Sequence, residues 1–199
     1  MSLVAHWDRQ YREGDPIWDS DRPTSELKRV VAGDRIAPCR ALELGCGTGS
    51  NAVWLARQGF DVTAIDVSPR AVERAVRRAA DAGVAVRFLA GDLRDADRLG
   101  GPYDFFVDCG CYGAVQLGDR AGYFDAVARL TRPGARGLVL TGNDHEPEDE
   151  EGPPVLSEGQ LRRDFGRPFE VLRLREFRFD AHQGNGKEYL GWSCLLRRR

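Results

Sequence analysis

The stretch "ALELGCGTGS", residues 41–50, carries an apolar strand-like run straight into three glycines at alternate positions, with Glu43 two places ahead of the first. Such a run reads as the first strand of a parallel sheet turning into a helix. Gly45, Gly47 and Gly49 tolerate positive φ and let a ligand reach backbone N–H groups that a Cβ would block. A phosphate or a sulfonium amino acid would each fit so close to a main chain. A dinucleotide fingerprint needs a glycine at position 50, which is Ser50, and a P-loop needs Gly-Lys-Ser/Thr, which is absent. Glu43 would repel a pyrophosphate and attract an ammonium, so the charge favours a zwitterion.

Working outward, apolar runs at 40–46, 62–67, 84–91, 103–110 and 136–142 alternate with helix-period segments, the pattern of a parallel sheet covered on both faces. Ser68 and Pro69 open one helix whose apolar stripe is Val72, Ala75, Val76 and Ala79. A second, "DRAGYFDAVARLTRPG" (119–134), places Tyr123, Phe124, Val127, Ala128 and Leu130 on one face and stops at Pro133-Gly134. The last two strands, 169–179 and 189–197, are joined by a loop too short for a parallel crossover and are expected to be antiparallel neighbours. The fold expected is α/β, a Rossmann-like doubly wound sheet of seven strands, mostly parallel with the last antiparallel. An N-terminal helical lid precedes it.

The 199 residues, 42% hydrophobic, suit one globular unit over 1–199, with a lid segment at 1–35 and the core at 36–199. Twenty-nine basic against 31 acidic side chains give a net charge of −2 and no positive field for nucleic acid or an anionic membrane. Cys39, Cys46, Cys109, Cys111 and Cys194 lack zinc-site spacing; reduced thiols in a cytoplasmic protein, monomer or homodimer, are expected, with no metal and no membrane span. The acidic run "DHEPEDEEGPP" (144–154) reads as a solvated loop.

Two further acids sharpen the ligand. Asp66 ends the second strand 21 residues after Gly45, where a carboxylate accepts from both hydroxyls of an unphosphorylated ribose. Asp92, after the third strand, is placed to accept from an adenine amino group, with the Leu93 N–H toward a ring nitrogen. One ligand satisfies all three acids: S-adenosylmethionine.

Through "LELGCGTG", "AIDVS", "AGDL" and "YDFFVDCGCY", in that order over residues 40–142, the chain resembles the class I S-adenosylmethionine-dependent methyltransferases. The resemblance implies a cofactor site of Trp18, Glu43, Gly45, Cys46, Gly47, Gly49, Asp66, Val67, Asp92, Leu93 and Asp108. Cys46 itself reads as a small buried filler rather than a nucleophile. The front segment, with "VDCGCYGAV", "GPPVLSEGQLRRDFG" and "GWSCLLRR", looks like the thiopurine, halide/thiol and tellurite-resistance methyltransferases. Those relatives carry "PWDxGRPxP", whereas "IWDSDRPTS" has Asp21 in place of the glycine and lacks the later proline, which separates cofactor-side roles for Trp18 and Arg22 from any carry-over of substrate.

Trp7, Tyr11 and Trp18 are large apolar surfaces that must cover something; either they close the cofactor site or they pack the first helix on the sheet. Asp108, Tyr112 and His145 are the candidate catalytic groups beside the expected methyl position, while His6 and His182 lie in terminal or hairpin regions. Methyl transfer from a sulfonium is an in-line displacement that needs alignment more than charged helpers. The expected acceptor is a small molecule, a thiol or another soft nucleophile needing no base. An O- or N-methyltransferase with a general base, a nicotinamide oxidoreductase and a cofactor-binding regulator are the rivals.

Overall fold

Parity along the strands sets the layers. In β1 (Arg40–Leu44) Ala41 packs with the cluster around Leu27, Leu55 and Val62, while Leu42 and Leu44 join the opposite cluster around Phe106, Tyr123 and Phe165. Both faces of the strand are therefore buried, as a parallel sheet with helices on each side requires. The computed structural model describes residues 2–14, 16, 18–19, 21–95, 98–115, 120–147, 152–181 and 186–199.

The sheet runs β3-β2-β1-β4-β5-β8-β7, with β2 Asp61–Asp66, β3 Arg87–Ala90, β4 Tyr103–Cys109, β5 Thr131–Asn143, β7 Phe169–Arg178 and β8 Leu190–Arg198. β8 is antiparallel to both neighbours, and its pairing with β7 extends from Phe169 opposite Arg198 to Arg178 opposite Leu190. The expected hairpin is present. An eighth strand, β6 (Val155–Leu156), adds two residues in parallel to the end of β5. The order reverses direction between β1 and β4, whose carboxyl ends flank the crevice where such sheets bind ligands.

α3 (Ser50–Arg57) and α4 (Pro69–Asp81) follow β1 and β2. Ser68 caps α4 by accepting from Ala71 N at 3.2 Å, with Pro69 in the first turn. Its buried stripe is Ala71, Ala75 and Ala79; Val76, assigned to that stripe from the sequence, is 51% exposed. Alanines win the packed face because α4 lies close over Gly49, Ala75 Cβ being 2.9 Å from where a Gly49 Cβ would stand. α5 (Cys111–Val115) and α6 (Arg120–Leu130) follow β4. The helix expected to run to Pro133-Gly134 ends at Leu130, because β5 starts at Thr131 opposite Tyr103. Residues 132–134 fall in the register shift before Arg136 pairs with Phe105. α7 is Glu158–Phe165.

In front of the sheet lie α1 (Leu3–Glu13) and α2 (Ser25–Gly33). α2 is tied to the C-terminal hairpin through its buried Glu26, which accepts from Arg29, Arg175 and the Ser193 hydroxyl. None of the helices, as described, is long and apolar enough to cross a membrane.

Candidate functional site

The glycine loop closes on itself through the acid that ends β2. Asp66 Oδ2 accepts from Gly47 N and Oδ1 from Ser68 N, each at 2.8 Å, so one carboxylate fixes both the loop and the start of α4. A carboxylate has about four acceptor positions, and two of those on Asp66 are taken by these amides. Burial raises its pKa against those two bonds. Gly45 has φ 61° and Gly47 φ 52°, left-handed values that disfavour a side chain. Space forbids one as well: a Cβ on Gly45 would stand 2.6 Å from Cys111 Cβ, and one on Gly47 would stand 2.9 Å from the Tyr11 hydroxyl.

Glu43 sits below this loop, fully inside, on the same face of β1 as α3. Asn51 and the Ala52 N–H donate to it, yet burial dominates and raises its pKa to about 8, with Asp66 and Asp108 adding like charge. Its Oε2 is buried with no hydrogen-bond partner among the described residues. Asn51 in turn accepts from Thr24 N at 2.9 Å, which couples Glu43 to the entrance of α2.

The N-terminal segment lies over the loop. Tyr11 brings its hydroxyl against Gly47 and accepts from Trp18 Nε1 at 3.5 Å, and the Trp18 ring stands edge-on to Trp7. Trp18 itself is 44% exposed. Asp8 accepts from the Ser68 hydroxyl at 3.0 Å and from Arg70 Nε at 3.2 Å, placing its carboxylate at the N-terminus of α4, where the helix dipole favours a negative charge. Asp19 accepts from the Thr48 hydroxyl at 2.5 Å; Thr48 and Asp21 both accept from Arg78 Nη2, at 3.0 and 2.9 Å. Arg74 donates to the Tyr11 carbonyl at 2.8 Å. Sequence reasoning found the aromatic residues of this cover but not Asp8, Asp19, Arg74 and Arg78. The "WDSD" pairing of acids beside Trp18 was the available signal.

The three candidate catalytic groups are not brought together. Asp108 is completely buried and satisfied: Oδ1 accepts from Tyr112 N at 3.1 Å, Oδ2 from the Tyr123 hydroxyl at 2.8 Å, and the Cys111 N–H also donates to it. It serves as the cap of α5 from inside the core, and burial raises its pKa to about 7 against those bonds. Tyr112, expected to line the methyl pocket, turns its ring into a cluster with Tyr123, Phe124 and Phe165. Its hydroxyl bonds Asp164, which also accepts from Arg120 at 3.1 Å. The physical reason is that α5 begins at Cys111, so Cys111 faces Gly45 and its neighbour Tyr112 points to the aromatic side. His145, past the end of β5, holds Glu176 through Nδ1 at 2.6 Å and stands edge-on to Trp192 at 5.4 Å.

Asp92 directs both oxygens to the Arg94 guanidinium, which holds its pKa down, and the Arg94 backbone N–H donates to Oδ1 as well. Leu93 beside it is buried and Val67 is half-buried. Burial pushes the Cys46 and Cys111 thiols well above the usual range, so both stay protonated. No group of three metal-ligating side chains occurs among the described residues. His182 lies outside the described residues.

Residues 41–134 match a family model described as a methyltransferase domain. The chain is 28% identical to 2-heptyl-1-hydroxyquinolin-4(1H)-one methyltransferase of Mycobacteroides abscessus over 74% of its own length. It spans 65% of that relative, under two-thirds. It is likewise 28% identical to thiopurine S-methyltransferase of Bordetella petrii, covering 74% of each. A structure solved for the conversion of a disulfide bond into a thioacetal group during echinomycin biosynthesis superposes with a TM-score of 0.85 at 24% identity, over 99% of this chain and 92% of that one.

Proposed function

We propose that the chain is a class I S-adenosylmethionine-dependent methyltransferase that methylates a small-molecule acceptor whose own ionisation supplies the nucleophile, a thiol or a similarly soft group. The observation that carries this reading is the engagement of every candidate base: Asp108 caps α5, Tyr112 bonds Asp164, and His145 holds Glu176. Asp108 and Tyr112 are spent on contacts within the fold, and His145 is held by Glu176 past the end of β5. The thiopurine relative, by its name an S-methyltransferase, supports the same class of acceptor.

The residues suit the cofactor. Glu43 keeps one buried oxygen without a partner, the acceptor that an amino-acid ammonium needs. Asp66 retains acceptor capacity for ribose hydroxyls; Asp92 with the Leu93 N–H would face the adenine on release of part of its pairing with Arg94. S-adenosylmethionine, when bound, supplies an electrophilic methyl carbon. This chain's part is to hold the acceptor in line with it and to exclude water. Tyr11 and Trp18 cover the loop, and Cys111 packs on Gly45. Alignment of this kind is worth up to about 7 to 11 kcal/mol, more than the roughly 10²- to 10⁴-fold a general base contributes.

A second reading rests on the His145–Glu176 pair, in which Glu176 orients Nδ1 and leaves Nε2 to take a proton from a hydroxyl or amine. The hydroxyquinolone relative fits that chemistry. A panel of thiols, selenols, halides, phenols and amines, read out as S-adenosylhomocysteine formed, separates them. Turnover confined to phenols and amines would overturn the thiol reading, and no turnover with any acceptor despite cofactor binding would favour a regulatory binder.

A further inference from the structure

α3 and α4, with Ser50 after the glycine loop and Asp21 and Pro23 of the N-terminal cover, line a cleft of about 550 Å³. Trp54 and Arg57 line it from α3, and Arg74, Arg77 and Arg78 from α4. These positions follow helix spacing: Trp54 and Arg57 are three apart, and Arg74, Arg77 and Arg78 share one face, so the guanidinium groups converge by construction. The lining sets four arginines against two carboxylates, Asp21 and Asp81; Arg78 bonds Asp21, and Arg77 also pairs with Glu73 along α4, an exposed pair that a polyanion would displace. The chain as a whole is acidic by two charges, so this local excess is not a general property of its surface.

We propose that this cleft is a binding site for a small organic polyanion carrying an aromatic ring, of the nucleoside polyphosphate type. Its volume lies in the range of about 300 to 1,000 Å³ that small-molecule sites occupy. Guanidinium forks match phosphate oxygens in pairs. Trp54, half-buried at the cleft wall, offers a face on which a ring stacks. A nucleic acid strand is disfavoured because it needs a continued basic track, and here the track is interrupted by Asp21 and Asp81. The site also touches the N-terminal cover, since Arg78 bonds both Asp21 and the loop residue Thr48. A polyanion drawing on Arg78 therefore competes with the bond that holds the cover to α4.

The test uses the full chain with S-adenosylhomocysteine saturating the cofactor site, titrated calorimetrically with guanosine triphosphate and with inorganic tripolyphosphate. Saturable one-to-one binding that weakens with added salt is expected, tighter for the nucleotide than for tripolyphosphate. Arg57→Glu with Arg77→Glu, both exposed and outside the contacts of the cover, should weaken both ligands about tenfold or more. Trp54→Ala should weaken the nucleotide alone. The double variant is accepted as folded when its S-adenosylhomocysteine affinity matches the parent. No saturation of the parent by about 1 mM, the weak end of specific binding, overturns the site; so does binding that survives the charge reversal. A short oligonucleotide that binds more tightly than the nucleotide would overturn the assignment to a small ligand.

Discussion

Two buried carboxylates stand one residue out of step on neighbouring strands: Glu43 on β1 is opposite Val107, and Asp108 on β4 is opposite Leu44. The pleat sends them to opposite faces, Glu43 to the α3 layer and Asp108 to the aromatic layer under α6. Their environments differ in one respect. Asp108 receives three donors and is complete, whereas Glu43 keeps an oxygen with no partner among the described residues. Of two equally buried acids, the satisfied one builds the fold, and the unsatisfied one is the acceptor we propose for a ligand ammonium. On the proposed reading, the same contrast sets Glu43 and Asp66, which keep acceptor capacity on the cofactor half of the crevice, against Asp108 and Tyr112 on the acceptor half, which are taken by Tyr123 and Asp164; Asp92, paired with Arg94, is the exception on the cofactor side.

The sharpest way to break this contrast is Asp108→Ala, which leaves two amides at the start of α5 and the Tyr123 hydroxyl without their acceptor. At about 1 to 3 kcal/mol for each buried donor, stability should fall by about 3 kcal/mol or more. Denaturant titration measures it. Asp108→Asn should recover part of the loss, with turnover per folded molecule within about tenfold of the parent; a general base would lose roughly a hundredfold or more in either variant.

Asp66 lies between the two extremes, half-used by Gly47 N and Ser68 N. Asp66→Ala should weaken S-adenosylmethionine binding by roughly ten- to a hundredfold, the worth of about 1.5 to 3 kcal/mol for a charged acceptor. Calorimetry of a variant shown to be folded checks this. Unchanged affinity would remove Asp66 from the cofactor site.

Glu43 predicts a pH dependence of definite sign. Its pKa is raised to about 8 and that of Asp108 to about 7, so the folded chain holds protons that the unfolded chain releases from about pH 4 upward. The contribution of these two groups to the stability of the ligand-free protein is therefore fully present below about pH 4 and is lost as pH rises through about 7 to 8. Glu26, Asp34 and the other acids held low by arginines act in the opposite sense at acid pH. An ammonium beside Glu43 favours its ionised form, so cofactor affinity should rise with pH between about 6 and 8, by up to about tenfold per unit, with proton release. Binding heats in two buffers of different ionisation enthalpy measure that release. Glu43→Gln should abolish it.

What was legible in the sequence was local. The glycine loop, the Ser68 cap and the Asp66 position follow from residues within a few places of each other, and the antiparallel hairpin follows from a loop too short to cross over. The N-terminal cover was legible as aromatic residues needing burial, but its latch was not, because Asp8 meets Arg70 and Asp21 meets Arg78 across 62 and 57 positions. The acceptor half failed for the same reason: Tyr112 is claimed by Asp164, 52 residues away, and Asp108 by Tyr123, 15 away. β6 was missed because two residues carry no period.

The smallest expected effect bears on the acceptor half directly. His145 is more than half exposed at its side chain, pairs with Glu176 and rests edge-on against Trp192. If the acceptor ionises by itself, His145→Ala removes a surface contact and should change turnover on a thiol by no more than about threefold, since exposed pairs are worth roughly 0.2 to 1 kcal/mol. The pH–rate profile should then rise to the acceptor's own pKa, about 8.5 for a thiol, and move when the acceptor is changed for a more acidic one. A base acting through His145 gives the opposite pair of results: a profile fixed by the enzyme across acceptors, and a loss of roughly a hundredfold or more in the variant. Glu176→Gln distinguishes the two once more, because it would shift the pH dependence only where the imidazole takes the proton. A fixed profile with such a loss would show that the acceptor half keeps one working base after all, and the contrast with Glu43 would then hold for Asp108 and Tyr112 alone.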